Sequence, residues 1–179
     1  AGDVALHETS FAWIDRQVLD KGGPAVTSLF VTRTQSTKPD SPELAQFRAA
    51  FPQNSPAYFC LAAIHGIALS HRINEIFGIR HDLQIAFDPK YTSGFKSSYC
   101  DFWQSFGGVM VGERGCAMPV PPQVPPLQSL KAKHRARARL RRQFWSQISD
   151  QTVAVLAPHM GSSRTRDSLH AAQGSIANE

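Results

Sequence analysis

The chain has 179 residues, a formal net charge of +5 and a hydrophobic fraction of 42%, which is enough for one compact domain with a core. Three cysteines exclude a disulfide scaffold. The longest apolar stretch is broken by His65, Gly66, Ser70 and His71, so no membrane-spanning helix is expected. No secretory signal is visible and no CxxC pair occurs, so intracellular residence is expected.

Residues 8–20 place Phe11, Ile14 and Val18 at spacings of three and four, which predicts a short amphipathic helix. Lys21-Gly22-Gly23-Pro24 would stop it. Residues 25–33 are rich in β-branched and aromatic types and predict a strand; residues 34–41 read as a polar loop. Ser41-Pro42-Glu43 is a helix start, with Ser as N-cap and Pro in the first turn, and the helix should end near Phe51-Pro52. Asn54-Ser55-Pro56 repeats the signal. The apolar segment after it predicts a central buried helix running to about Phe77 and ended by Gly78.

Residues 83–88 alternate as a strand does. Residues 94–107 suit helix or strand, and Tyr99, Phe102, Trp103 and Phe106 read as core aromatics. Val109-Met110-Val111 predicts a short strand. Five prolines within residues 119–126 predict a stiff polyproline connector. Residues 127–157 are good helix formers, broken at Pro158. Ala132, Ala136, Leu140, Phe144 and Ile148 recur at i+4, the stripe expected to rest on the body. From Gly161 the chain is small and polar, which predicts a flexible tail. The expected fold is therefore α+β but predominantly helical, with a few short strands. Its parts are a compact body (1–118), a connector (119–126), a basic C-terminal helix (127–158) and a tail (159–179).

The charge is concentrated in one place. Lys131, Lys133, Arg135, Arg137, Arg139, Arg141 and Arg142 put +7 into twelve residues without one acid; the other residues hold 12 bases and 14 acids. A focused run of this kind points to a polyanion partner. Arginine, which dominates the run, suits bidentate phosphate contact and base stacking. Asn is absent from the run and Gln143 is the one nearby amide, so backbone contact is expected rather than base readout. Trp145 is a candidate to stack on an unpaired base. The leading expectation is non-enzymatic binding of RNA or DNA, with no cofactor, as one subunit of a nucleoprotein or capsid assembly that includes protein partners.

Two other readings use different residues. Cys60 lies in the first turns of the central helix, and His81 and Asp88 follow. This order over about thirty residues resembles papain-type hydrolases, and implies Cys60 as nucleophile with His81 and Asp88 as partners. Alternatively, the basic helix docks on an acidic protein. His71 and Glu75 share a helix face but make only two ligands, so no metal site is expected. No phosphate-binding glycine loop is present.

Overall fold

A computed structural model describes residues 4–36 and 41–160. Strand β1 (His7–Asp15) is followed by β2 (Thr27–Ser36), then helices α1 (Pro42–Ala50) and α2 (Pro56–Ser70). Next come β3 (Glu75–Ile79), α3 (Thr92–Ser98), α4 (Cys100–Gln104), β4 (Val109–Val111), β5 (Gly115–Pro119) and the long α5 (Ala132–Leu156). The strands form one sheet in the order β1-β2-β3-β5-β4. Its pairings are antiparallel except β2 with β3, which are joined through α1 and α2. The fold is α+β, but a five-stranded sheet replaces the few short strands expected, and the chain is not predominantly helical.

The sheet's register explains its two clusters. Leu29 pairs with Ile76 and Ile76 with Met118, and all three point to one face with Val31 and Cys116. There they meet Leu61 and Ile64 of α2 and Trp103 of α4 in the main core. Their neighbours Phe30, Phe77 and Ala117 point the other way and pack with Leu19 in a small second cluster. This is the period-2 alternation of a strand, with both faces covered at its centre.

Gly78 occupies β3 rather than a helix end. A Cβ there would collide with the Trp103 indole, whose Nε1 donates to the Ile79 carbonyl at 2.9 Å. Gly78→Ala is therefore expected to cost about 1–3 kcal/mol through overpacking. A urea midpoint equal to wild type would show that Trp103 is not seated there.

Several elements differ from the sequence expectation. Residues 8–20 form β1 and a single 3-10 turn, not a helix. Phe11 and Val18, two of the three residues that suggested a buried helical face, are exposed. Pairing along β2 decides the conformation, and Thr9, Phe11, Trp13 and Ile14 suit it. Helix α2 stops at Ser70, well before Phe77. The Ile73 N–H donates to the Ala68 carbonyl and the Arg72 N–H to that of Leu69, with Arg72 at φ 57°. This is a Schellman ending built on arginine where glycine is usual, so no glycine marked it.

Residues 83–88 form no strand; Leu83 closes a 3-10 turn (His81–Leu83), and Ile85 beyond it is fully exposed. The proline-rich segment does not stand off as a connector. The Val120 N–H donates to the Asn74 carbonyl, Val120 is buried, and Val124 packs on the main core. The loop at 34–41 is shorter than expected, because β2 runs to Ser36 and residues 37–40 lie outside the described residues. The tail from Gly161 also lies outside them.

Candidate nucleic-acid interface

Helix α5 begins at Ala132 and runs 25 residues, about 37 Å at 1.5 Å per residue. It packs along α2. Trp145 meets Asn54 and Tyr58 at the start of α2, while Ser149 and Thr152 lie against Gly66, so the contacts advance in the same direction on both helices. Gly66 is required for this approach: a Cβ would come within 2.6 Å of the Ser149 carbonyl and of Thr152. The first half of α5 therefore extends past the N-terminal end of α2. From Ala132 to Arg137 every residue is exposed, and Ala138 is the first buried one.

Only the end of the expected i+4 row rests on the body. Steps of four advance 40° around a helix at 100° per residue, so such a row winds away over sixteen residues. Ala132, Ala136 and Leu140 consequently face outward. Phe144 and Ile148, the last two of the row, do pack on the body, Phe144 against Phe51 and Phe59 and Ile148 on the main core; beside them Ala138, Trp145 and Thr152, at steps of seven that drift only 20° backwards, complete the contact.

Trp145 belongs to this joint. It is buried, its indole N–H donates to Asn54 Oδ1 at 3.0 Å, and it stacks on Tyr58 with ring centroids 5.0 Å apart. It is closed to a nucleobase, which corrects its expected role as a stacking platform. Only long-range packing determines this, and Asn54 lies 91 residues away in sequence.

The seven bases divide into two groups. Arg135 donates to the carbonyls of Leu130 and Gln128, which holds the turn before α5. Arg142 donates to the Pro125 carbonyl. The Arg141 guanidinium lies over the rings of Trp145 and Tyr58, at 5.2 and 5.8 Å from their centroids. The side chains of Lys131, Lys133, Arg137 and Arg139 make no hydrogen bond or ion pair to any described residue, and all four are exposed. The three ion pairs among the described residues, Arg16–Glu75, Arg33–Glu8 and Arg80–Asp82, all lie elsewhere.

The position of these cations works against the helix. No acid occupies the first turn of α5, where the helix dipole is positive and cations are unfavourable. The uncompensated charge and the unpaired amides of the helix start add to one positive field. Beside them a recess of about 250 Å³ opens between the α1–α2 turn and α5, lined by Gln53, His134, Arg137 and Arg141. Arg141, steadied by its two rings, and the unpaired Arg137 both reach this recess. An anionic oxygen seated there would meet two guanidinium groups.

The other candidates are not brought together. Cys60 is half-buried, and burial raises its thiol pKa. That is the opposite of an activated nucleophile. His81 Nδ1 instead lies 3.1 Å from Cys100 Sγ, a pair that no local spacing announces. Asp88 caps a turn by accepting from the Lys90 N–H at 2.9 Å. Cys60, His81 and Asp88 thus share no hydrogen bond.

Residues 55–154 match the family model "Protein of unknown function (DUF535)", more than half of the chain. The chain belongs to this family. The matched span runs from the N-cap of α2 almost to the end of α5, so it includes both helices of the joint and the basic run. No curated protein and no solved structure matches the chain. No described helix is long and apolar enough to cross a membrane.

Behind the joint, His65 of α2 is 3% exposed. Burial lowers its pKa from 6.5 to about 4, opposed in part by a hydrogen bond with the Leu61 backbone, so the ring is neutral near pH 7. The unfolded chain takes up this proton as pH falls below 6.5, and the folded chain takes it up only near 4. The contribution is therefore whole above pH 6.5, shrinks as pH falls, and is gone below about 4. At 1.36 kcal/mol per pH unit the loss is roughly 3 kcal/mol. Urea unfolding at pH 7 and pH 4 should show this loss in wild type and not in His65→Leu. Equal losses in both would assign the acid sensitivity to other groups.

Proposed function

We propose that this protein binds nucleic acid through the phosphate backbone, without strong sequence preference, using the exposed first half of α5. The observation that carries the reading is the absence of any ion pair on seven clustered bases among the described residues. Lys131, Lys133, Arg137 and Arg139 would meet phosphates directly, and Arg141 would join them at the recess with Gln53. Arg135 and Arg142 instead hold neighbouring backbone and serve the shape of the site. Charge that is unfavourable in the isolated helix becomes favourable once phosphates surround it. The docked body would supply orientation and protein contacts within a larger nucleoprotein assembly.

Fluorescence anisotropy at low salt with labelled single-stranded and duplex DNA and RNA of several sequences tests this reading. Comparable binding across sequences is expected. No binding to any of them, together with saturable binding to polyglutamate, would replace nucleic acid by an acidic protein as the partner.

A further inference from the structure

The recess between the α1–α2 turn and α5 differs from the rest of the basic surface. Its lining is Gln53, Leu130, His134, Arg137, Ala138 and Arg141, with no carboxylate. Arg137, Ala138 and Arg141 place it beside the second and third turns of α5, so it does not depend on the free amides of the helix start.

Every polar side chain in the recess is open and uncommitted. Gln53, His134 and Arg137 are exposed, and their side chains make no hydrogen bond or ion pair to any described residue. Arg141 is half-buried and has its Nε enclosed, but neither Nη is enclosed, and neither carries a hydrogen bond. Its guanidinium lies over the rings of Trp145 and Tyr58, so those two donors are held in place before a ligand arrives.

Charge and shape then select the ligand. Two guanidinium groups without a counter-charge call for two negative charges. A phosphate inside a strand carries one. A terminal phosphomonoester carries about −1.5 to −2 near pH 7 and presents three acceptor oxygens. The Arg137 and Arg141 forks, the Gln53 amide and the His134 ring can supply donors to all three. The volume of about 250 Å³ lies below the range usual for drug-sized pockets, roughly 300–1,000 Å³, so the recess takes one group rather than a length of strand. An internal phosphate needs room for the strand on both sides, whereas an end needs it on one.

We propose that this recess binds the terminal phosphomonoester of a nucleic-acid strand, so that the protein prefers phosphorylated ends. Lys131, Lys133 and Arg139, outside the recess, meet the adjoining backbone phosphates. The inference rests on the nucleic-acid reading above.

Anisotropy with short, internally labelled single strands tests it, using ends that are all hydroxyl, 5′-phosphorylated or 3′-phosphorylated. At least one phosphorylated strand is expected to bind about tenfold more tightly than the hydroxyl-ended one, the worth of one added charge-assisted contact. A hydroxyl-ended strand one nucleotide longer, which adds a phosphodiester instead, should not reproduce the gain. Arg137→Gln should lose most of the preference, whereas Arg139→Gln should keep it, although each removes one backbone contact. A tenfold gain is too small for a lone nucleotide to bind at millimolar concentration, so millimolar adenosine 5′-monophosphate should leave the preference intact. Equal affinity for hydroxyl-ended and both phosphorylated strands overturns the inference and leaves backbone binding standing. So does a preference that survives in Arg137→Gln, or one that the mononucleotide abolishes, which would assign the recess to free nucleotides. Binding to none of the strands fails the nucleic-acid reading and this inference with it.

Discussion

Replacing Lys131, Lys133, Arg137 and Arg139 together with glutamine is expected to lower affinity for duplex DNA about 4,000-fold at 0.1 M salt. Each phosphate contact releases about 0.9 counterion, which at that salt is worth roughly a factor of eight, and four contacts compound. The fold should survive the change. All four side chains are exposed and make no bond to a described residue, glutamine is a good helix former, and removing cations from the start of α5 relieves its dipole. The melting temperature should stay level or rise. The same loss of affinity with a collapsed melt would mean that the bases hold α5 in place.

Trp145→Ala is expected to destabilise the protein by about 3–5 kcal/mol, the usual range for truncating a buried Trp. The indole fills the joint between Tyr58, Phe106 and the Arg141 guanidinium, and it satisfies Asn54 Oδ1. Truncation opens a cavity and strands that buried oxygen. Trp145→Phe should cost less, about 1–3 kcal/mol, through the lost hydrogen bond and a smaller void. Chemical denaturation of both variants checks the order. A folded Trp145→Phe should bind nucleic acid within about twofold of wild type, since a buried indole offers no stacking face. A much larger loss of affinity would show that the ring reaches a base after all.

How much of this could be read from sequence depends on how local each cause is. The start of α1 was legible because Ser41 caps Leu44 three residues on. The strand within β2 and the short β4 were legible from their β-branched and apolar runs. β1 and β3 were not, because the pairings that make them strands lie far along the chain: His7 pairs with Ser36 and Glu75 with Pro119. The end of α2 was hidden because Arg72 adopts a conformation that glycine usually signals.

The candidate site divides along the same line. A charge run is visible in any sequence window, so all seven bases were legible. Their division into exposed and committed groups was not, since it depends on where Leu130, Pro125 and Tyr58 come to lie. Neither the recess beside Arg141 nor the His81–Cys100 pair leaves a local signature. The first joins the α1–α2 turn to α5, and the second spans nineteen residues with no characteristic spacing.

The salt dependence of duplex DNA affinity tests the central claim most directly. With four exposed bases each meeting one phosphate, log K against log salt should be linear with a slope of about −3.6, somewhat steeper where Arg141 also engages. The variant lacking those four should keep no more than the slope of about −0.9 that Arg141 alone would give. A wild-type slope near zero, or one unchanged in the variant, would contradict an interface made by the first half of α5.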